Sequence, residues 1–149
     1  MDSPQMRKNN TLSRRARILL AEDDRAMAVL IEIALQQSGF SYRLEIATDG
    51  NEAIAALEKA SPEDRPDLFL LDLYMPGKDG FEVLEHIKWR ENLRRIPVIM
   101  FSSSQCPTHV KRAYDLHANA YVLKEGDLPE LAAKLESILS FWLITATAA

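Results

Sequence analysis

Four places in the chain hold side chains capable of joint chemistry: Glu22-Asp23-Asp24, Asp72, Ser102-Ser103 and Lys124. Alone, each is weak. An acid after a strand is most often a helix cap, and Asp24 suits that role ahead of a helical stretch. A lysine at a strand end is usually just solvated. Converged, the same groups become costly to hold, because two carboxylates about 4 Å apart repel by roughly 4 kcal/mol at an effective dielectric near 20. The remedies are a raised pKa or a divalent cation. Oxygen ligands with no His or Cys beside them suit the hard cation Mg²⁺, which retains waters and leaves positions for phosphoryl oxygens. With the charge of Lys124 and the Ser102 hydroxyl as donor, the set describes phosphoryl transfer to a carboxylate nucleophile.

Convergence depends on the elements that carry these groups. Ile18–Ala21 is a short apolar run stopped by the acids. Met27, Leu30, Ile31, Ala34 and Leu35 follow at helical spacing, and Gly39 stands where that helix should end. Tyr42, Leu44 and Ile46 alternate with charged residues as a strand does, and a second helix carries Ala53, Ile54 and Leu57. Two prolines make Ser61–Pro66 a connector. Leu68–Leu71 reads as a strand buried on both faces and ends at Asp72. The loop 74–80 leads to a helix with Phe81, Leu84 and Ile87 on one side. Pro97–Phe101 is the next buried strand, a helix covers about Thr108–His117, and Tyr121–Leu123 is a fifth strand. A last helix runs from about Leu128 to Trp142.

Five strand–helix units with apolar strands imply an α/β domain: a doubly wound, five-stranded parallel sheet of flavodoxin-like (βα)5 type, strand order 2-1-3-4-5. Ligands bind such sheets at the carboxyl ends of the strands. Every one of the four polar groups lies at such an end. Flavin or dinucleotide chemistry does not fit, since the first strand–helix turn is acidic and neither Gly-x-Gly-x-x-Gly nor Gly-x-x-x-x-Gly-Lys-Ser/Thr occurs.

The composition sets outer limits. The 149 residues allow one domain, and 47% hydrophobic with 27% charged residues is the balance of a globular protein. The single Cys106 excludes an intrachain disulfide and a cysteine zinc cluster. No apolar run approaches the roughly 18 residues of a membrane helix, so a cytoplasmic protein with no membrane contact is expected. The net charge of −4 is uneven: Arg7, Lys8, Arg14, Arg15 and Arg17 outweigh Asp2 by four, which leaves −8 on the rest. Residues 1–14 are expected to be a flexible basic leader, and the acidic body argues against direct DNA binding.

In their order and spacing, Ile18-Leu19-Leu20-Ala21-Glu22-Asp23-Asp24, Leu70–Gly80, Pro97–Ser103 and Ala120-Tyr121-Val122-Leu123-Lys124 make the chain resemble the receiver domain of two-component response regulators. The resemblance covers about residues 15–140. It implies that Asp72 is the phosphoacceptor, taking its phosphoryl group from a sensor histidine kinase. It also implies that Asp23 and Asp72 hold Mg²⁺ directly, with Glu22 in support and the Tyr74 backbone carbonyl as a further ligand. Lys124 would pair with the phosphoryl group, Ser102 would move to bond it, and Tyr121 would follow inward. Tyr74 and Ser104, two residues beyond Asp72 and Ser102, occupy the positions that tune phosphoryl lifetime.

There are departures from the family pattern. Glu22 stands where aspartate is commoner, Ser102 where threonine is, and Glu125 where proline usually follows the lysine. A cis bond without proline costs about 2.5–4 kcal/mol, so a trans Lys124–Glu125 peptide is expected. With a receiver over residues 15–143, a tail over 144–149 and no output domain, the chain resembles a single-domain regulator. The Ser61–Pro66 connector and the ending Glu136–Leu143 are similar to regulators that partner phytochrome histidine kinases.

The stripe Leu128, Leu131, Leu135, Ile138, Trp142 suits core packing. Phe141, Leu143 and Ile144 exceed it, so the tail either folds back or packs on a second subunit through Phe141, Trp142 and Leu143, and a homodimer is favoured. Phe81 and Met27 belong to the core, while His86, His109 and His117 are scattered surface residues and not ligands. Two other functions use the same groups: a Mg²⁺-dependent phosphohydrolase working through an aspartyl phosphate, and a pseudo-receiver that binds a partner without phosphorylation. Asp72-Leu73-Tyr74 lacks the second acid of the Asp-x-Asp phosphohydrolase pattern, and the full acidic and basic set argues against the pseudo-receiver.

Overall fold

The computed structural model describes residues 15–145; the expected leader over 1–14 and the last four residues lie outside it. Five strands and five helices alternate: β1 (Ala16–Ala21), α1 (Arg25–Gln37), β2 (Tyr42–Ala47), α2 (Gly50–Lys59), β3 (Leu68–Leu71), α3 (Gly80–Lys88), β4 (Val98–Ser102), α4 (Pro107–Asp115), β5 (Ala120–Leu123) and α5 (Leu128–Ser140). All strand pairs are parallel and the order is β2-β1-β3-β4-β5, as expected. β3 and β4 are buried along their whole length, whereas β5 at the edge is only half-buried. β2, the other edge, leaves Ile46 38% exposed despite its alternating pattern.

Because side chains alternate across a strand, the sheet divides the core in two. Leu19, Phe69, Leu71, Val98 and Met100 face one way, onto a layer that includes Leu57, Phe81, Leu84 and Ala113 of α2, α3 and α4. Ile18, Leu20, Leu68, Leu70, Ile99 and Phe101 face the other, onto α1 and α5. Met27 is half-buried on this second side.

The helix starts follow from local chemistry. Asp24 caps α1 by accepting from the Ala26 and Met27 amides. Asp79 with Glu82 and Asp127 with Glu130 form reciprocal capping boxes for α3 and α5. Gly39, at φ 82°, takes the left-handed conformation that ends α1. The connector contains a single 3₁₀ turn, Pro62–Asp64, tied to β1 by Arg17, whose guanidinium donates to the Glu63 carbonyl.

The last helix departs from expectation at its end. After Ser140 the chain widens into a π-helical turn, Phe141–Thr145. The wider turn brings Leu143, rather than Trp142, into the buried row behind Leu131, Leu135, Ile138 and Leu139. Trp142 packs partly against the same core while Phe141 stays 50% exposed, its ring edge-on to Trp142. Part of the tail therefore folds back and part faces outward. No helix among the described residues is long and apolar enough to cross a membrane.

The start of α3 sits hard against the end of β3. A methyl group on Gly80 would lie 2.4 Å from the Asp72 carbonyl oxygen and 2.8 Å from Leu73 Cα. Gly80→Ala should therefore destabilise the fold by about 1–3 kcal/mol, as overpacking does, with the urea m-value unchanged. A loss below about 0.5 kcal/mol, within the range of a neutral surface change, would mean that this approach is not tight.

Candidate functional site

Strand ends place the acidic groups. Glu22 and Asp23 follow β1, Asp72 follows β3, and these strands are neighbours in register from Ile18↔Leu68 to Ala21↔Leu71. The Asp72 amide donates to the Ala21 carbonyl at 3.0 Å, so the two chain segments are still paired where the carboxylates begin. One ligand oxygen from each of Glu22, Asp23 and Asp72 falls within 4.8 Å of the others. Glu22 is buried, Asp72 is 6% exposed and Asp23 faces solvent. A cluster with one open side and oxygen donors only has the chemistry of a divalent-metal site.

Lys124 supplies the counter-charge. Its Nζ lies 3.1 Å from Asp72 Oδ2 and donates to Glu22 Oε1 at close range. The other Asp72 oxygen, Oδ1, accepts the Leu73 amide at 2.8 Å, and Glu22 Oε2 accepts the Asp24 amide at 3.2 Å. Asp72 is thus oriented by its own backbone on one side and neutralised on the other. Burial pushes Glu22 up to about 7, with the nearby Asp72 charge adding to the rise against the opposing pull of Lys124.

No cis peptide occurs among the described residues, so Lys124–Glu125 is trans, as expected where proline is absent. The loop is braced from α5, where Lys134 Nζ donates to the Leu123 carbonyl at 2.7 Å and reaches the Glu125 carbonyl at 3.5 Å.

Ser102 ends β4 completely buried, and its Oγ accepts the Ser104 amide at 3.1 Å. Tyr121 packs partly against the α2–α4 side of the core, and its hydroxyl donates to the Ser104 carbonyl at 2.8 Å. Ser104 therefore contacts both Ser102 and Tyr121 at once. Tyr74 is 55% exposed beside the cluster, its hydroxyl 3.2 Å from His109 Nδ1.

His109 is the residue that sequence reasoning misplaced. It is no isolated surface histidine: Nδ1 also lies 2.6 Å from Ser104 Oγ, and the ring meets both Tyr74 and Phe81 edge-on at 5.9 Å. The signal was present in Cys106-Pro107, because proline favours the first helical position and so fixes which face of α4 His109 takes. His86 and His117 are likewise not isolated: His86 pairs with Glu58 across α2 and α3, and the His117 ring packs on Trp89, both away from the acid cluster.

Comparison with known proteins gives a consistent result. The model of the response regulator receiver domain matches residues 18–136. Response regulator Rcp1 of Synechocystis sp. is 41% identical over 133 residues, 87% of this chain and 90% of the relative. The fold superposes on the phosphorylated cyanobacterial phytochrome response regulator RcpA with a TM-score of 0.82 at 41% identity, covering 90% of this chain and 98% of that one. The Mn²⁺-bound form of Rcp1 gives a TM-score of 0.79 at 39% identity, with 90% and 99% covered.

The raised Glu22 pKa has a stability consequence. Its folded-state value, about 7, exceeds the ordinary 4.5. Its contribution is therefore fully present below pH 4.5 and is lost as pH rises through 7. In metal-free buffer the wild type should lose stability relative to Glu22→Gln across this window, on the order of 1–3 kcal/mol. Parallel stability curves for the two proteins, measured by urea denaturation from pH 4.5 to 8, would show that Glu22 is not the group taking up the proton.

Proposed function

This chain belongs to the response regulator receiver family, and from that premise we propose that it is a phosphoacceptor switch taking its phosphoryl group from a sensor histidine kinase onto Asp72. One observation carries the assignment: a buried carboxylate at the end of a central strand, held by the Leu73 amide, faces Lys124 at 3.1 Å within a three-carboxylate cluster. In the transfer an Asp72 oxygen attacks phosphorus, the P–N bond to the kinase imidazole breaks, and its electron pair stays on the ring nitrogen. Lys124, already opposite Asp72, offsets the charge carried by the transferred group.

The site fits Mg²⁺ because its donors are all oxygen, and burial, with the Asp72 charge adding to it, already raises Glu22. Asp23 and Asp72 would hold the ion, Glu22 would support it, and the Tyr74 carbonyl would complete the protein ligands. When bound, Mg²⁺ supplies positive charge for the oxygens of the phosphoryl group.

Phosphorylation would create a dianion beside Ser102 and Lys124. The Ser102 hydroxyl, now facing the Ser104 amide, gains a stronger acceptor and turns toward it. That releases Ser104, and through it the Tyr121 hydroxyl, so the face of α4, β5 and α5 is remodelled. Tyr74 and Ser104, flanking the acids, set how long the phosphoryl group lasts.

RcpA is named as a phytochrome response regulator, which supports a phytochrome-type kinase as the donor for this chain. The exposed Phe141 and Ile144 on the π turn support a homodimer through this end of the molecule. Such a protein works in the cytoplasm, takes up one phosphoryl group per chain and has no turnover on small substrates.

Incubation with acetyl phosphate followed by intact-protein mass measurement tests the assignment. One phosphoryl group should be added with Mg²⁺ and none without it. Asp72→Asn, which preserves shape, should add none; a labelled Asp72→Asn protein, or phosphate released repeatedly without an adduct, would sink the assignment. Lys124→Ala should still accept phosphate but lose the coupling between phosphorylation and any change in oligomeric state or kinase affinity. Coupling of wild-type size in that variant would contradict the role given to Lys124.

A further inference from the structure

Two loops border the acid cluster, one after β3 carrying Tyr74 and one after β4 carrying Ser104. A single atom joins them. His109 Nδ1 lies 2.6 Å from Ser104 Oγ and 3.2 Å from the Tyr74 hydroxyl. His109 is itself well anchored, since its amide donates to the Cys106 carbonyl in the first turn of α4 and its ring leans on the buried Phe81. Tyr74 has no comparable support, being more than half exposed. Without a partner for its hydroxyl, an exposed tyrosine moves between staggered rotamers on a fast timescale.

We propose that His109 is a positioning residue that ties the β3–α3 and β4–α4 loops together across the mouth of the Asp72 site, holding Tyr74 as a shield and so setting how fast water removes the phosphoryl group. The inference rests on the phosphoacceptor assignment of Asp72. In the reaction concerned, a water oxygen attacks phosphorus and the bond between phosphorus and the Asp72 oxygen breaks. The electron pair returns to the Asp72 carboxylate, and inorganic phosphate leaves with the proton released by water. Approach of that water requires space on the open side of the site, which a tethered phenol restricts and a freely rotating one does not. The tether also reaches the switch, because Ser104 accepts from Tyr121 through its carbonyl and donates to Ser102 through its amide.

The test follows phosphoryl loss by intact mass after acetyl phosphate is removed, at fixed pH and saturating Mg²⁺. His109→Ala should lose the group about 3–10-fold faster than wild type, the range set by one net hydrogen bond. His109→Asn places a polar atom near the position of Nδ1 and should restore a rate close to wild type. Tyr74→Phe should match His109→Ala, and the double variant should be no faster than either single one. An unchanged rate in His109→Ala, an Asn variant as fast as the Ala variant, or multiplying effects in the double variant would each overturn the proposal. The ¹⁵N resonance of the His109 ring, recorded with no phosphoryl donor, should shift in Tyr74→Phe. A resonance that does not move would refute the tether even if no protein accepted phosphate, whereas a shifted resonance with no adduct would leave the tether standing and remove Asp72 from its role.

Discussion

Lys124 leaves the end of β5, passes the β4 end and places its ammonium against Glu22 beyond β1 and Asp72 beyond β3. All three side chains are nearly inaccessible to solvent, so this contact governs what the rest of the site can do. Removing one charge from water costs several kcal/mol, and here three are removed together. One ammonium among three clustered carboxylates leaves an excess of negative charge. Burial, with the Asp72 charge beside it, raises Glu22, and the open side at Asp23 gives access to a cation. On the proposed reading, a site left short of positive charge in this way suits a metal ion, and then a phosphoryl group beside Lys124.

Strand order is what makes the contact possible. Neighbouring strands lie about 4.8 Å apart, so an extended lysine can serve acids on other strands only if few strands intervene. In the order β2-β1-β3-β4-β5 the only strand between Lys124 and Asp72 is β4. The β4 residue at that height is the small, fully buried Ser102, which pairs in register with Leu123 just before the lysine. A large side chain at Ser102 would compete with the lysine for this space. On the proposed reading, the demand for a small hydroxyl residue here is steric as well as chemical. Gly80 answers a similar demand below the site, where α3 must begin against the Asp72 carbonyl.

Much of this was legible from residue types and spacing. Apolar runs ending in acids, a hydroxyl pair and a lysine mark strand ends, and parallel topology makes those ends neighbours. The Asp24 cap, the Gly39 stop and the trans Lys124–Glu125 peptide follow from local rules that need no tertiary information. Features set by side-chain direction were harder to read. The alternation of β2 predicts a buried face, yet an edge strand has a neighbour on one side only, and Ile46 stays exposed. The stripe on α5 points to Trp142, but a π turn shifts the register by one residue and buries Leu143 instead. His109 looked isolated because its partners lie 5 and 35 positions away in sequence, one of them in a different loop.

These misread positions share a cause, and it bears on how the switch is built. Local propensity determines where elements begin and which strand ends meet, so the acids and Lys124 are placed by rigid, well-packed parts. The β4–α4 loop is held differently, by single hydrogen bonds: Ser102 to the Ser104 amide, Tyr121 to the Ser104 carbonyl, and His109 to the Ser104 hydroxyl. Each is worth about 0.5–1.5 kcal/mol net, small beside the energy of a new dianion in a buried site. On the proposed reading, a phosphoryl group added at Asp72 would therefore rearrange the Ser104 contacts without straining the sheet that holds Asp72. A stiff reaction site joined to a weakly held reporting loop is the division of stability that a reversible switch requires.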